Sequence, residues 1–344
     1  MRPIRVLVVD DSPLVRDLLS RGLEVDPEIQ VVGQAADPHQ ARDRILELRP
    51  DVLTLDVEMP KMDGVEFLRR LMPRYPLPVV MVSSLTQRGK QTTFEALSAG
   101  AVDFVAKPSM GSVNGMLSEL RSKVKVASGA NVQRPDHSRS APRREERALP
   151  ATADRVLAIG ASTGGTEALR QLVSQFPPNM VGTVIVQHMP PGFTSMFAQS
   201  LDAQCVVTVK EARSGDVIRP GMVLIAPGDL HTTVHRAKDM HVVVCKSGEK
   251  VCGHRPSVDM LFKSVAKACG KKAIGVVLTG MGQDGADGML AMRRSGAKTL
   301  AQNRETSVVF GMPKAAYERG GVEELLPLQA IPGKLMRLLA EEDI

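Results

Sequence analysis

Short apolar runs rich in branched residues alternate with longer stretches of helical period along most of the chain. Between residues 4 and 107 the runs are Arg5–Val9, Gln30–Gly33, Val52–Leu55, Val79–Val82 and Asp103–Ala106, which predicts five rounds of strand and helix. Alternation with short connections calls for a parallel sheet covered on both faces, and such sheets place their sites beyond the carboxyl ends of the strands. From Ala127 to Thr152 the period disappears into a polar, Pro-containing and Arg-rich stretch, Arg134 to Arg147 at its centre, which reads as a mobile linker. The alternation then resumes with Val156–Gly160, Thr183–Gln187, Met222–Ala226, Ala273–Thr279 and Thr299–Gln302. An antiparallel patch is expected between His231 and Val251, with a hairpin from Thr232 to Cys245. The expectation is two doubly wound α/β domains, residues 1–126 and 153–344, joined by a linker over 127–152.

Composition narrows the class. No apolar run approaches the roughly 20 residues of a membrane span, and Asp10 and Asp11 interrupt the N-terminal run too early for a signal peptide, so membrane insertion is not expected and the location expected is cytoplasmic. Cys205, Cys245, Cys252 and Cys269 lack close-paired spacing and read as reduced core residues. His231, His235, His241 and His254 with Cys245 and Cys252 have the spacing of a hairpin rather than that of a zinc site. The net charge of +6 invites a nucleic-acid partner, but part of the excess lies in the Arg-rich stretch and only 3% of residues are aromatic, which disfavours a base-stacking surface. An acidic protein partner fits as well.

The strand ends of the first half carry Asp10-Asp11, Asp56, Ser83-Ser84 and Lys107-Pro108. Three carboxylates converging on one crevice repel one another unless a cation joins them, and hard oxygen ligands suit Mg2+. A lysine and a hydroxyl beside them suit a phosphoryl group. The set assembles phosphoryl transfer to Asp56, with Asp10 and Asp11 holding the metal, Lys107 pairing the phosphate and Ser83 sensing it. With Val8-Val-Asp10-Asp11-Ser-Pro, Leu55-Asp56-Val-Glu-Met-Pro60 and Phe104-Val-Ala-Lys107-Pro108, the first 120 or so residues resemble the receiver domain of two-component response regulators. The resemblance implies a flavodoxin-like fold and an aspartyl-phosphate switch written by a histidine kinase. It makes Asp56 the acceptor, Ser83 the hydroxyl (Ser84 being the alternative) and Phe104 the aromatic switch residue.

The second half opens with Gly160-Ala-Ser162-Thr-Gly164, a match to G-x-S-x-G between a strand and a helix. In that motif flanking glycines permit a strained turn that lifts a serine hydroxyl above the sheet edge. The stretch alone also fits a phosphate cradle or a plain tight turn. A serine nucleophile needs a base in reach and an acid to orient it. His188 closes the next strand, and Asp284 lies in the Gly-rich turn after Ala273–Thr279, where Asp287 could simply cap the following helix.

These segments, with Ile225-Ala-Pro-Gly-Asp229 and His254-Arg-Pro-Ser-Val-Asp259, resemble the catalytic domain of chemotaxis protein-glutamate methylesterases. The resemblance implies a Rossmann-like domain with Ser162 as nucleophile, His188 as base and Asp284 as orienter. The backbone amides of Thr163 and Met281 are the oxyanion-hole candidates. It implies a substrate of methylated glutamates on chemoreceptor cytoplasmic helices, with glutamine deamidation besides, a chemotaxis histidine kinase as phosphodonor, and no metal for the ester step. An unphosphorylated receiver restraining the Ser162 cleft is the expected control. The His254 to Asp259 segment receives no role from the sequence. The rival reading is a response regulator whose second half binds a nucleotide or nucleic acid on Gly160 to Gly165; the absence of a Gly-Lys-Ser/Thr ending there counts against it.

Overall fold

The computed structural model describes residues 2–60, 62–84, 87–107, 113–132 and 154–340. The chain forms two compact units, up to residue 138 and from 139 onward. In the first, strands β1 (Ile4–Val9), β2 (Ile29–Ala35), β3 (Val52–Asp56), β4 (Val79–Ser83) and β5 (Asp103–Ala106) alternate with helices α1 (Pro13–Glu24), α2 (Pro38–Leu48), α3 (Gly64–Leu71), α4 (Gln87–Ser98) and α5 (Val113–Ser128). The sheet is parallel, in the order β2-β1-β3-β4-β5. Side chains of Ser12, Asp37 and Asp63 accept from first-turn amides and so start α1, α2 and α3. Helix α5 continues into the stretch read as linker; the rest of that reading, from residue 133 to 152, lies outside the described residues, as does Pro108.

The second unit holds β6 (Val156–Ala161), α6 (Gly165–Val173), β7 (Gly182–Gln187), α7 (Phe193–Asp202), β8 (Thr208–Glu211), β9 (Val217–Ile218) and β10 (Met222–Ile225). Then follow β11 (His231–Ala237), β12 (Met240–Lys246), α8 (Val258–Cys269), β13 (Ala273–Val277), α9 (Ala286–Arg294), β14 (Lys298–Gln302), α10 (Met312–Glu318), β15 (Glu324–Leu326) and α11 (Ile331–Ala340). Seven strands form one parallel sheet, β15-β14-β13-β6-β7-β10-β8, and β11-β12-β9 form a separate antiparallel sheet. The hairpin turns at Lys238 and Asp239, with Lys238 at a left-handed φ of 54°.

All of β6 is buried, as its apolar run requires. Its neighbours are β7 on one side and β13 on the other, so the chain changes direction across the sheet at β6. That is the switch point at which open α/β sheets form their crevice. Helices that lead back to a parallel strand start at this same edge, so α8 brings its N-terminus to the crevice.

Candidate active site and receiver pocket

Ser162 follows β6 directly and His188 follows β7, and the register pairs Ala161 with Gln187. The two residues therefore leave adjacent strand ends. Ser162 is 9% exposed, and its backbone N–H donates to Thr279 O at 3.0 Å. Gln187 Nε2 donates to Ser162 O at 2.9 Å, and Thr279 Oγ1 donates to Thr163 O at 3.0 Å, so the turn is held from both flanking strands. The glycines act by lacking a side chain. A Cβ on Gly165 would lie 2.1 Å from Gln187 Oε1, and one on Gly280 would lie 2.8 Å from Ser162 Cβ.

Ser162 is not among the residues with positive φ; the left-handed conformation of the turn falls on a flanking glycine. The left-handed residue is Gly164, at φ 75°, where it caps α6. The strand runs through Ala161, and the turn is closed after the serine by the Gly165 N–H donating to Ser162 O at 2.7 Å.

His188 Nε2 lies 2.9 Å from Asp284 Oδ2, and both side chains are buried. With an ionised carboxylate, Nε2 carries the hydrogen of this bond. Nδ1 is buried and has no hydrogen-bond partner among the described residues. The ring also stacks on that of His254, with centroids 3.8 Å apart and planes within 8°. Asp284, 1% exposed, accepts three further bonds. Ser257 Oγ at 2.8 Å and the Asp259 N–H at 3.0 Å reach Oδ1, and the Val258 N–H reaches Oδ2 at 2.8 Å. Burial opposes ionisation of this carboxyl, but the His188 bond and the amides of Asp259 and Val258 outweigh it and hold it below the usual carboxylate range. Asp287 instead pairs with Arg319 at 2.7 Å, away from His188. Thr163 is buried beside Ser162, whereas Met281 follows Gly280 and is 41% exposed.

The first unit gathers its acidic residues as expected. Ligand oxygens of Asp10, Asp11 and Asp56 all lie within 4.8 Å of one another. Lys107 Nζ is 2.8 Å from Asp10 Oδ2 and 2.9 Å from Asp56 Oδ2. Burial pushes the Asp56 carboxyl up to about 6; Lys107 opposes this and Asp10 adds to it. An all-oxygen cluster with excess negative charge is the donor set a hard divalent cation takes, so these residues fit Mg2+. A Cβ on Gly64 would sit 2.2 Å from Asp56 O, which explains the glycine there.

Ser83 is buried at the end of β4, its hydroxyl bonded to Gly89 O at 3.2 Å and taking a bond from Thr93 Oγ1 at 2.6 Å. Ser84 is directed to Glu58 Oε2 at 3.5 Å. Phe104 is buried, with Lys123 Nζ 5.2 Å from its ring centroid.

Residues 157–335 match the family model described as CheB methylesterase, and residues 6–116 match the response regulator receiver domain. The chain belongs to the CheB methylesterase family. It is 58% identical to a protein-glutamate methylesterase/protein-glutamine glutaminase of Syntrophotalea carbinolica, over 100% of this chain and 99% of that one. A Pseudomonas aeruginosa relative, protein-glutamate methylesterase/protein-glutamine glutaminase 2, is 48% identical over 98% of this chain and 97% of its own. The crystal structure of the Thermotoga maritima CheB methylesterase catalytic domain aligns with a TM-score of 0.53 and 40% identity, covering 54% of this chain and 99% of that domain. The chain is thus a receiver joined to a hydrolase domain, and the nucleotide- or nucleic-acid-binding output reading is not supported. Among the described residues no helix is long and apolar enough to cross a membrane.

Sequence reasoning left the family's His254 to Asp259 segment without a role. The structure brings three of its residues to the His188–Asp284 pair: the His254 ring stacks on His188, and the Ser257 hydroxyl and the Asp259 N–H donate to Asp284. A usable signal was present: Ser257 precedes Val258-Asp-Met-Leu-Phe262, an N-cap before a buried helix.

Proposed function

We propose that this enzyme removes methyl groups from glutamate side chains on the cytoplasmic helices of chemoreceptors, and deamidates glutamines there, by a Ser-His-Asp mechanism. Phosphorylation of Asp56 by a chemotaxis histidine kinase relieves a restraint exerted by the receiver. The observation that carries the esterase reading is the His188 ring, bonded to ionised Asp284 through Nε2 with its buried Nδ1 left for a proton, at the strand end beside Ser162.

In this reading Ser162 Oγ attacks the side-chain carbonyl carbon and its proton passes to His188 Nδ1. The carbonyl π electrons move onto oxygen, and the backbone amides of Thr163 and Met281 hold that oxyanion. Collapse breaks the bond to the methoxy group, which takes the proton from His188 and leaves as methanol; an amide leaves as ammonia. Water then attacks the acyl-enzyme, giving its proton to Nδ1, and glutamate departs as the proton returns to Ser162. Asp284 stays ionised throughout and stabilises the imidazolium between transfers.

In the receiver, Asp10, Asp11 and Asp56 would hold Mg2+, which when bound supplies positive charge against the phosphoryl oxygens. Lys107 pairs the phosphoryl group on Asp56. The Ser83 hydroxyl then exchanges its α4 partners for a phosphoryl oxygen, and Phe104 transmits the change. The test is methanol release from methylated chemoreceptor, with and without a small phosphodonor and Mg2+. The parent should release methanol faster with the donor, Asp56→Asn should not respond, and Ser162→Ala should release none. Equal release by Ser162→Ala and the parent would refute the reading.

A further inference from the structure

We propose that Ser257 is a positioning residue of the esterase reaction, its hydroxyl fixing the plane of the Asp284 carboxylate against His188. The inference rests on the Ser162-His188-Asp284 reading and adds a fourth member to it. Ser257 is fully buried, and its hydroxyl has its two hydrogen-bonding directions assigned. The Met260 N–H donates to Oγ at 3.3 Å, which caps α8, and the hydroxyl proton is given to Asp284 Oδ1 at 2.8 Å. The cap thereby aims the proton. Its backbone is fixed in turn: the Ser257 N–H donates to His231 Nδ1 at 3.2 Å, and His231 Nε2 bonds Glu249 O at 2.7 Å.

A carboxylate free to rotate about its last bond would present either oxygen to His188 at varying angles. Here Oδ1 is held by Ser257 and the Asp259 N–H, so Oδ2 is the oxygen left to face His188 and the Val258 N–H. Asp259 Oδ1 accepts from the Gly288 N–H at 2.7 Å, tying this cradle to the helix that follows Asp284. Apart from His188, Ser257 is the one side-chain donor to Asp284 among the described residues; the others are backbone amides.

Removing the hydroxyl has two consequences that helix capping alone does not have. The orienter loses a hydrogen bond to a charged group, which predicts a fall in kcat of roughly ten- to a hundred-fold with KM unchanged. The hydroxyl dipole also disperses the negative charge of Asp284. Without it that charge holds the protonated imidazole more strongly, so the acid limb of the rate profile moves to higher pH. The other titratable groups at the pair are His254, stacked on His188, and Asp259 and Cys252, whose ligand atoms lie within 4.8 Å of the Asp284 carboxylate. None of these changes in the substitution.

The experiment compares Ser257→Ala, Ser257→Gly, Ser257→Thr and Ser162→Ala in the full chain, with phosphodonor and Mg2+, by methanol release from methylated chemoreceptor across pH. Glycine keeps most of the capping free energy that alanine loses. The expected result is an equal kcat loss and the same upward shift of the acid limb in the alanine and glycine variants, with recovery in the threonine variant. Loss in the alanine variant alone, following its lower melting temperature, would reduce Ser257 to a cap and overturn the proposal. So would parental kcat and pH profile in both alanine and glycine variants while Ser162→Ala is inert. An active Ser162→Ala would instead remove the triad reading on which the proposal stands.

Discussion

Exchanging Asp284 for asparagine changes almost no volume but reverses the chemistry of one of two atoms that together accept four hydrogen bonds. Oδ1 accepts from Ser257 Oγ and the Asp259 N–H, and Oδ2 from His188 Nε2 and the Val258 N–H. If the amide nitrogen takes the Oδ2 position, it faces the Val258 N–H and the His188 ring. His188 must then accept at Nε2 and carry its proton on Nδ1, the nitrogen required as base. If the nitrogen takes the Oδ1 position, the Asp259 N–H is orphaned instead. One buried amide is unpaired either way, at about 1–3 kcal/mol, and the negative charge at the start of α8 is lost, at up to about 2 kcal/mol. We therefore expect Asp284→Asn to destabilise the second unit by about 2–4 kcal/mol and to lower kcat by about 10³–10⁴, through the wrong tautomer in the first orientation and through the lost negative charge beside the imidazolium in both. Because the Asp284 carboxyl is held below the usual range, its contribution is present above about pH 4 and is lost as the pH falls through the folded value. The stability gap between parent and variant should thus narrow in acid. Single-turnover methanol release and urea unfolding at several pH values measure both effects. A kcat within tenfold of the parent would refute the assignment of Asp284 as orienter.

Asp56→Asn should raise the melting temperature of the receiver at pH 7.5. Its carboxyl is pushed up to about 6, so between pH 4 and 6 the folded state binds more protons than the unfolded, and ionisation costs at most about 3 kcal/mol above that window. The gain should vanish below about pH 4; calorimetry at both ends of the range checks it. Gly160→Ala would place a Cβ 2.2 Å from Val258 Cγ1, at the residue whose amide holds Asp284. It should cost about 1–3 kcal/mol by overpacking and reduce kcat as well, read by denaturation and methanol release; loss of stability with full kcat would contradict the coupling of Val258 to the site.

Each apolar run predicted as a strand is one, and its end residue lies where the chemistry needed it. Asp10, Asp56 and Lys107 meet because β1, β3 and β5 end at the same edge of one parallel sheet, β1 beside β3 and β5 two strands beyond, and the shared edge follows from alternation. Ser162 and His188 were legible for the same reason. Strands β8, β9 and β15 were not foreseen, since Thr208–Glu211 is polar at both ends, Val217–Ile218 is only a pair and Glu324–Leu326 is only partly buried. Ser257 and His254 stayed without roles because their partners Asp284 and His188 are distant in sequence and meet only through the placement of α8 at the sheet edge. The Ser83 bond to Thr93 likewise depends on how α4 packs, which periodicity does not specify.

The esterase chemistry stands on Ser162 as the nucleophile, activated by His188. Labelling the full chain with a fluorophosphonate ester, followed by peptide mass spectrometry, tests it at the bond itself. One adduct is expected, on Ser162, with formation slowed by orders of magnitude in His188→Ala. An adduct elsewhere, or undiminished labelling of Ser162→Ala, would contradict it.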